Sequence, residues 1–158
     1  MSEKPEVSEF GSVDPAPASN NGRVSEWRDI ICNEEERMFL RMRALFALRN
    51  VGGPDALDAL AAAFSSDSAL LKHEIAYVMG QMQDSYAVSC LIERLNDQDE
   101  DLMVRHEAAE ALGAIGDRAA IATLMLYRDD PEPVISESCE VAIDLLEWVE
   151  SKRLNYDN

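Results

Sequence analysis

Two histidine–glutamate doublets are the residues of this sequence best suited to chemistry. His73-Glu74 and His106-Glu107 contain the only two histidines of the chain. Imidazole nitrogens and carboxylate oxygens together suit iron, manganese or zinc, and histidines with a carboxylate and open positions suggest non-haem ferrous iron. Neither doublet continues as HExxH, so a metalloprotease is not supported. The doublets predict a metal site of another class.

The doublets occupy the same position in successive repeats. Three strings align without gaps, RMRALFALRNVGG from Arg41, KHEIAYVMGQMQD from Lys72 and RHEAAEALGAIGD from Arg105, so the spacings are 31 and 33 residues. A second set of aligned strings, from Leu57, Val88 and Ile121, has the same spacings. A weaker fourth copy, SESCEVAIDLLEW, begins 31 residues after Arg105.

Each repeat has the apolar pattern of two amphipathic helices. Apolar residues recur at intervals of three, four and seven, which is typical of a helix with one buried face. Helix pairs that repeat every 31–33 residues indicate an α-solenoid. The predicted fold is therefore all-α, a solenoid of about four HEAT-like helical hairpins. The positions that carry the pattern of the second helix are Leu57, Leu60, Ala61, Phe64, Val88, Leu91, Ile92, Leu95, Ile121, Leu124 and Met125.

Helical geometry predicts that the doublets stand side by side. At 100° per residue, His73 lies about 160° from the core position Ile75, and so points away from the apolar stripe. Equivalent positions of a solenoid stack into a row, and the axes of packed helices lie roughly 8–10 Å apart. Two imidazoles at that distance could reach one metal ion. One alternative is that the doublets belong to a solvated polar surface. Another is that repeat duplication copied them without a function, but the first and fourth repeats lack the doublet, which argues against duplication.

Amino-acid composition limits the kinds of molecule that this protein is expected to bind. The chain has 14 Lys and Arg against 31 Asp and Glu, a net charge of −17, which excludes nucleic acid and an anionic membrane as favoured partners. No apolar stretch approaches the length of a membrane span. The three cysteines show no CxxC pairing, and Cys90 and Cys139 fall within apolar helical runs, where we expect them in the core. These features predict a reducing compartment, the cytoplasm.

Three segments differ in composition. Residues 1–33 are acidic and rich in Pro, Ser, Asn and Gly, and predict a disordered tail whose last turns, at residues 24–31, could dock as a helix. Residues 34–151 form the predicted repeat domain. Residues 152–158 form a predicted C-terminal tail.

The strings LLKHEIAYVMGQMQD and MVRHEAAEALGAIGD closely resemble deoxyhypusine hydroxylase, a family of HEAT-repeat di-iron monooxygenases. RALFALRNVGGPDA and DPEPVISESCEVAIDLLEW also resemble this family, so the resemblance covers about residues 38–150. It implies that the protein hydroxylates deoxyhypusine, a modified lysine of translation initiation factor 5A, with molecular oxygen and non-haem ferrous iron. It also implies the factor as a partner, contacted by an acidic concave surface.

The resemblance assigns roles to the doublets. His73, His106 and Glu74 would be iron ligands. Glu107 would be the fourth member of the motif, with ligation, a supporting role beside the ligands and a contact to the substrate amine all open. In the family, each iron takes two histidines from one half of the protein and a glutamate from the other.

The chain departs from the family in length. The family has eight repeats and four doublets, whereas this chain has four repeats and two doublets, so a di-iron centre would need both halves. Three interpretations stay open: a truncated product or isoform of a full-length enzyme that lacks its C-terminal half, a half-length enzyme that forms a homodimer, and an inactive HEAT-repeat scaffold that binds a protein. A further alternative, by loose analogy with phycobilin lyase repeats, is a lyase-like or chaperone-like protein that acts on a cofactor-bearing partner.

Overall fold

A computed structural model describes residues 3–151 of the chain, and within them every regular element is helical. The predicted all-α class is confirmed. The predicted C-terminal tail at residues 152–158 lies outside the described residues. The helices are α1 Val24–Ile31, α2 Met38–Val51, α3 Gly53–Ala62, α4 Ala69–Met82, α5 Val88–Asn96, α6 Leu102–Ile115, α7 Ile121–Leu126 and α8 Pro133–Ser151.

The repeat spacing read from the sequence recurs in the helix boundaries. The first helices of the three complete repeats, α2, α4 and α6, each have 14 residues, and their first residues are 31 and then 33 positions apart. The Ser68 side chain accepts from the backbone N–H of Leu71, and Asp101 accepts from Met103, which satisfies donors that a helix start leaves unpaired. The fourth repeat is represented by α8 alone among the described residues.

The chain divides into two compact units, one that ends at Asp67 and one that begins at Ser68. In the first, α1 packs on α2 and α3. In the second, the first helices α4, α6 and α8 pack side by side, while α5 packs on α6 and α7 packs on α8. No described helix has both the length and the apolar character that crossing a membrane requires.

Two glycines allow the first helices of the second unit to approach closely. A Cβ on Gly80 would lie 3.1 Å from the Ala111 Cα, and a Cβ on Gly113 would lie 3.0 Å from both Cα and Cβ of Ala142. These distances are shorter than the roughly 3.5–4.0 Å at which carbon atoms attract best. Glycine at 80 and 113 therefore sets how closely α4, α6 and α8 pack.

A buried basic side chain recurs at one position of the first helix. Arg41 Nε donates to the Ile31 carbonyl at 2.9 Å, and Arg105 Nε donates to the Leu95 carbonyl, also at 2.9 Å. Each arginine is buried and binds a carbonyl ten residues earlier, near the end of the preceding helix, where carbonyls lack helical partners. At the equivalent position Lys72 Nζ instead pairs with Glu100 at 2.6 Å.

The segment before α2 makes specific contacts within the first unit. The buried Arg49 side chain donates to both carboxylate oxygens of Asp14, at 2.9 and 2.7 Å. In α1, Trp27 and Ile31 are also buried. The predicted docking of residues 24–31 as a helix is confirmed. Disorder of residues 1–33 in solution stays a prediction. From Asp14 onward, the contacts described here argue against it.

Met125 departs from its predicted place in the apolar face of α7. Its side chain is 49% exposed, and the following Leu126 is also exposed. The helix α7 has only six residues, and no second helix follows α8 among the described residues to cover it. The apolar periodicity was therefore right for Leu124, which is buried, and wrong for Met125.

We predict that Gly113→Ala lowers the free energy of unfolding. Alanine favours a helix by about 1 kcal/mol over glycine, so a helix without neighbours would become more stable. Here the new methyl group meets the Ala142 backbone, and overpacking typically costs about 1–3 kcal/mol. Urea denaturation would measure the difference, with Ser89→Ala on α5 as an exposed control. Unchanged or increased stability of Gly113→Ala would contradict the proposed close packing.

Candidate metal centre

The two doublets are carried by neighbouring helices of one compact unit, the first by α4 and the second by α6. His73 precedes Gly80 by seven residues, almost two helical turns, so both lie on the face of α4 that packs on α6. The contact between Gly80 and Ala111 brings the backbones of α4 and α6 close together. Two turns earlier, short side chains can therefore reach from one helix to the other.

Glu107 lies between the two imidazoles. Its Oε2 atom is 3.1 Å from His73 Nε2 and 3.6 Å from His106 Nε2. The Glu107 side chain is 9% exposed, that of His106 19% and that of His73 30%. The prediction that the doublets stand side by side is confirmed, but Glu107 is more buried than a surface row implies. Ligation of a metal by these side chains stays a prediction.

The second nitrogen of each imidazole also has neighbours. His73 Nδ1 lies 3.7 Å from Glu74 Oε1. His106 Nδ1 lies 2.6 Å from the Ser138 hydroxyl of α8, and 3.8 Å from Glu110 Oε1. All four predicted site residues therefore belong to one cluster, which Ser138 and Glu110 extend.

Glu110 is a further residue with a donor atom in this cluster. One donor atom each from His106, Glu107 and Glu110 lie within 4.8 Å of one another. Glu110 follows His106 by four residues on the exposed side of α6, a spacing at which helical side chains meet. That spacing was visible in the sequence, where Glu110 was taken only as an extension of the polar face.

Ser138 has no comparable signal in the sequence. It is a serine within the apolar pattern of α8, and nothing in its own helix relates it to a histidine 32 positions earlier. Only the register between α6 and α8 brings the two side chains together.

The surroundings of Glu107 act on its carboxyl in opposite directions. Burial raises the pKa of Glu107, the His73 imidazole beside it lowers the pKa, and the nearby Glu110 carboxylate raises it again. The net pKa lies above the usual value for a glutamate. A carboxylate held among imidazoles and other carboxylates in a partly dry site is stabilised by a cation.

The cluster has the donor types of a transition-metal site. Two imidazoles and three carboxylates offer nitrogen and oxygen ligands of intermediate hardness, which fit ferrous iron, manganese and zinc. Burial raises the pKa of Cys90 and of Cys139 to about 11, so both thiols stay protonated at neutral pH. Cys139 is buried, as predicted, whereas Cys90 is only partly buried.

The chain matches repeat families and larger relatives. Residues 61–144 match the family of HEAT repeats, and residues 40–66 match the PBS lyase HEAT-like repeat. The chain is 51% identical over 146 residues to deoxyhypusine hydroxylase-B of Oryza sativa subsp. japonica and 49% identical over 145 residues to deoxyhypusine hydroxylase of Rattus norvegicus. Each alignment covers 92% of this chain and 48% of the relative.

A solved structure of human deoxyhypusine hydroxylase in complex with glycerol is also similar to this chain. It matches with a TM-score of 0.87 and 47% identity, over 91% of this chain and 50% of the human chain. This chain thus spans about half the length of the curated relatives it matches. The chain belongs to the HEAT-repeat family, and over nearly all of its length it is similar to one half of a deoxyhypusine hydroxylase.

Proposed function

We propose that this chain provides one half of a deoxyhypusine hydroxylase, a monooxygenase that hydroxylates the deoxyhypusine side chain of translation initiation factor 5A. The observation that carries the proposal is the position of Glu107 Oε2 between the Nε2 atoms of two imidazoles, in a chain that is 45–51% identical to hydroxylases. When bound, ferrous iron would supply the activation of molecular oxygen.

Three side chains would be iron ligands. His73 and His106 would offer Nε2 to one ion. Glu74, whose carboxylate neighbours His73, would offer an oxygen to an ion whose histidines come from the other half. Glu107 would serve either as a further ligand or as the group that orients the substrate amine. Its burial supports both roles, because a dry carboxylate interacts strongly with any cation.

The charge of the chain supports a cationic substrate. A net charge of −17 raises the local concentration of a positively charged side chain. The neighbouring Glu107 and Glu110 carboxylates would attract the cationic amine end of deoxyhypusine. The same charge supports an acidic surface as the contact for the factor.

The ligand set supports a requirement for a second half. The cluster offers two imidazoles, whereas by resemblance a complete hydroxylase uses four doublets. We propose that the other ligands come from a second set of repeats, either in a longer protein or in a second copy of this chain. We also propose a cytoplasmic location, which the unpaired thiols of Cys32, Cys90 and Cys139 support.

We predict that His73→Ala abolishes binding of ferrous iron without unfolding the protein. The wild-type protein should bind iron anaerobically at neutral pH. Loss of a ligand should weaken binding by more than the roughly 10–100-fold typical of losing a group that only supports a ligand. Metal analysis after desalting would measure retention, and thermal unfolding would verify the fold, because the His73 side chain is 30% exposed and outside the core.

Glu93→Ala on α5 is the control, since Glu93 is exposed and distant in sequence from the doublets. Iron retention by the His73→Ala protein at the wild-type level would contradict the assignment of His73. A wild-type protein that binds no ferrous iron would contradict the proposed function itself.

We predict that hydroxylase activity requires two copies of this chain to associate. Wild-type protein loaded with iron should have a solution mass of two chains with about two irons, and should add one oxygen atom to deoxyhypusine-containing factor 5A when given oxygen and a reductant. Light scattering with metal analysis, and mass spectrometry of the factor, would measure these quantities. Iron-loaded dimers that bind the factor and leave it unmodified would instead support the inactive scaffold.

A further inference from the structure

The hydrogen bond between His106 and Ser138 fixes which nitrogen of the imidazole carries its proton. His106 Nδ1 lies 2.6 Å from Ser138 Oγ. The same hydroxyl donates to the carbonyl oxygen of Val134, one helical turn earlier in α8. A carbonyl oxygen only accepts, and a serine hydroxyl has one proton to give. Since that proton is already directed to Val134, the His106 nitrogen must be the donor in the bond to Ser138.

The opposite nitrogen is thereby left with its lone pair. A neutral imidazole carries one proton, so a proton on Nδ1 leaves Nε2 as the acceptor. Nε2 of His106 is the atom that lies 3.6 Å from Glu107 Oε2. The free lone pair therefore points into the candidate metal centre.

The surroundings of Ser138 make this bond difficult to exchange with water. Ser138 is 6% exposed, and its neighbour Cys139 is buried, as is Ile135 one turn earlier in α8. Buried polar groups are costly to leave unpaired, so the chain of bonds from imidazole to hydroxyl to carbonyl favours one arrangement.

Ser138 of α8 occupies the position that Glu107 occupies in α6 when the repeats are aligned. Ala111 touches Gly80 and Ala142 touches Gly113, so the contacting position shifts by 31 residues between these helix pairs. The same shift carries Glu107 to Ser138. His73 therefore meets a carboxylate on the next helix, whereas His106 meets a hydroxyl.

We propose that Ser138 is a positioning residue that holds His106 in the tautomer protonated at Nδ1 and presents Nε2 to the metal. The tautomer follows from the hydrogen bonds alone. Its consequence for metal binding rests on the proposed function. Groups that orient metal-binding histidines in this way typically contribute 10–100-fold to affinity.

Nitrogen NMR of the metal-free protein would test the tautomer. Long-range proton–nitrogen correlation spectra distinguish protonated from unprotonated ring nitrogens, and with two histidines in the chain a His73→Gln protein suffices for assignment. In mildly alkaline buffer we expect His106 to carry a single ring proton, on Nδ1. A proton predominantly on Nε2 of His106 in the wild-type protein would overturn the proposal.

Ser138→Ala would test the positioning role. Without the hydroxyl acceptor, we expect His106 to lose its single tautomer and the affinity for cobalt(II), followed by visible absorption, to fall about 10–100-fold. Ser138→Thr, which keeps the hydroxyl, should restore both. Ser136→Ala is the matched control, because the Ser136 hydroxyl donates to the Pro133 carbonyl in the same helix instead of bonding His106.

The outcomes separate this inference from the proposed function. Wild-type cobalt affinity in a folded Ser138→Ala protein would overturn the positioning role and leave the metal centre intact. A wild-type protein with the expected tautomer that binds neither cobalt nor iron would overturn the metal centre while the assigned hydrogen bonds stand.

Discussion

The close approach of α4, α6 and α8 is the constraint on which the candidate centre depends. At the contacts of Gly80 with Ala111 and of Gly113 with Ala142, any larger side chain would force the neighbouring helix to shift. Each glycine lies about two turns after a histidine, so the same helix face carries the contact and the imidazole. Because the backbones meet there, an imidazole on one helix reaches a short side chain on the next. The geometry of the candidate centre is in this sense a product of helix packing.

Burial and charge act together at Glu107. A carboxylate that is nearly buried needs positive charge or hydrogen-bond donors nearby. In the described structure the groups that face its Oε2 atom are the Nε2 atoms of the two imidazoles. The Nδ1-protonated tautomer inferred for His106 supplies no donor to that oxygen, whereas His73 Nε2 lies within hydrogen-bonding distance of it. A cation held between these groups would further stabilise the carboxylate.

The repeat spacing was sufficient to predict the helix class and the pairing of the doublets, because both follow from periodicity along the chain. Contacts that depend on register between helices were not predictable in the same way. Ser138 reaches His106 from 32 residues away, and its partner could be found only after Gly113 and Ala142 had fixed the alignment of α6 with α8. The exposure of Met125 has a similar origin, because periodicity identifies an apolar face but not the neighbour that covers it.

Because α8 has Glu137-Ser138 in place of a third doublet, it limits where further ligands of the candidate centre could come from. In α4 and α6 the row of imidazoles continues from one first helix to the next, but in α8 the equivalent position has no histidine. Ser138 completes the hydrogen bonding of His106 and offers no nitrogen donor of its own. The row therefore ends at α6 within the described residues, so extending the same row would not complete a site with more than two imidazoles. Additional imidazoles would have to approach from a surface that faces the row, as a second set of repeats would provide.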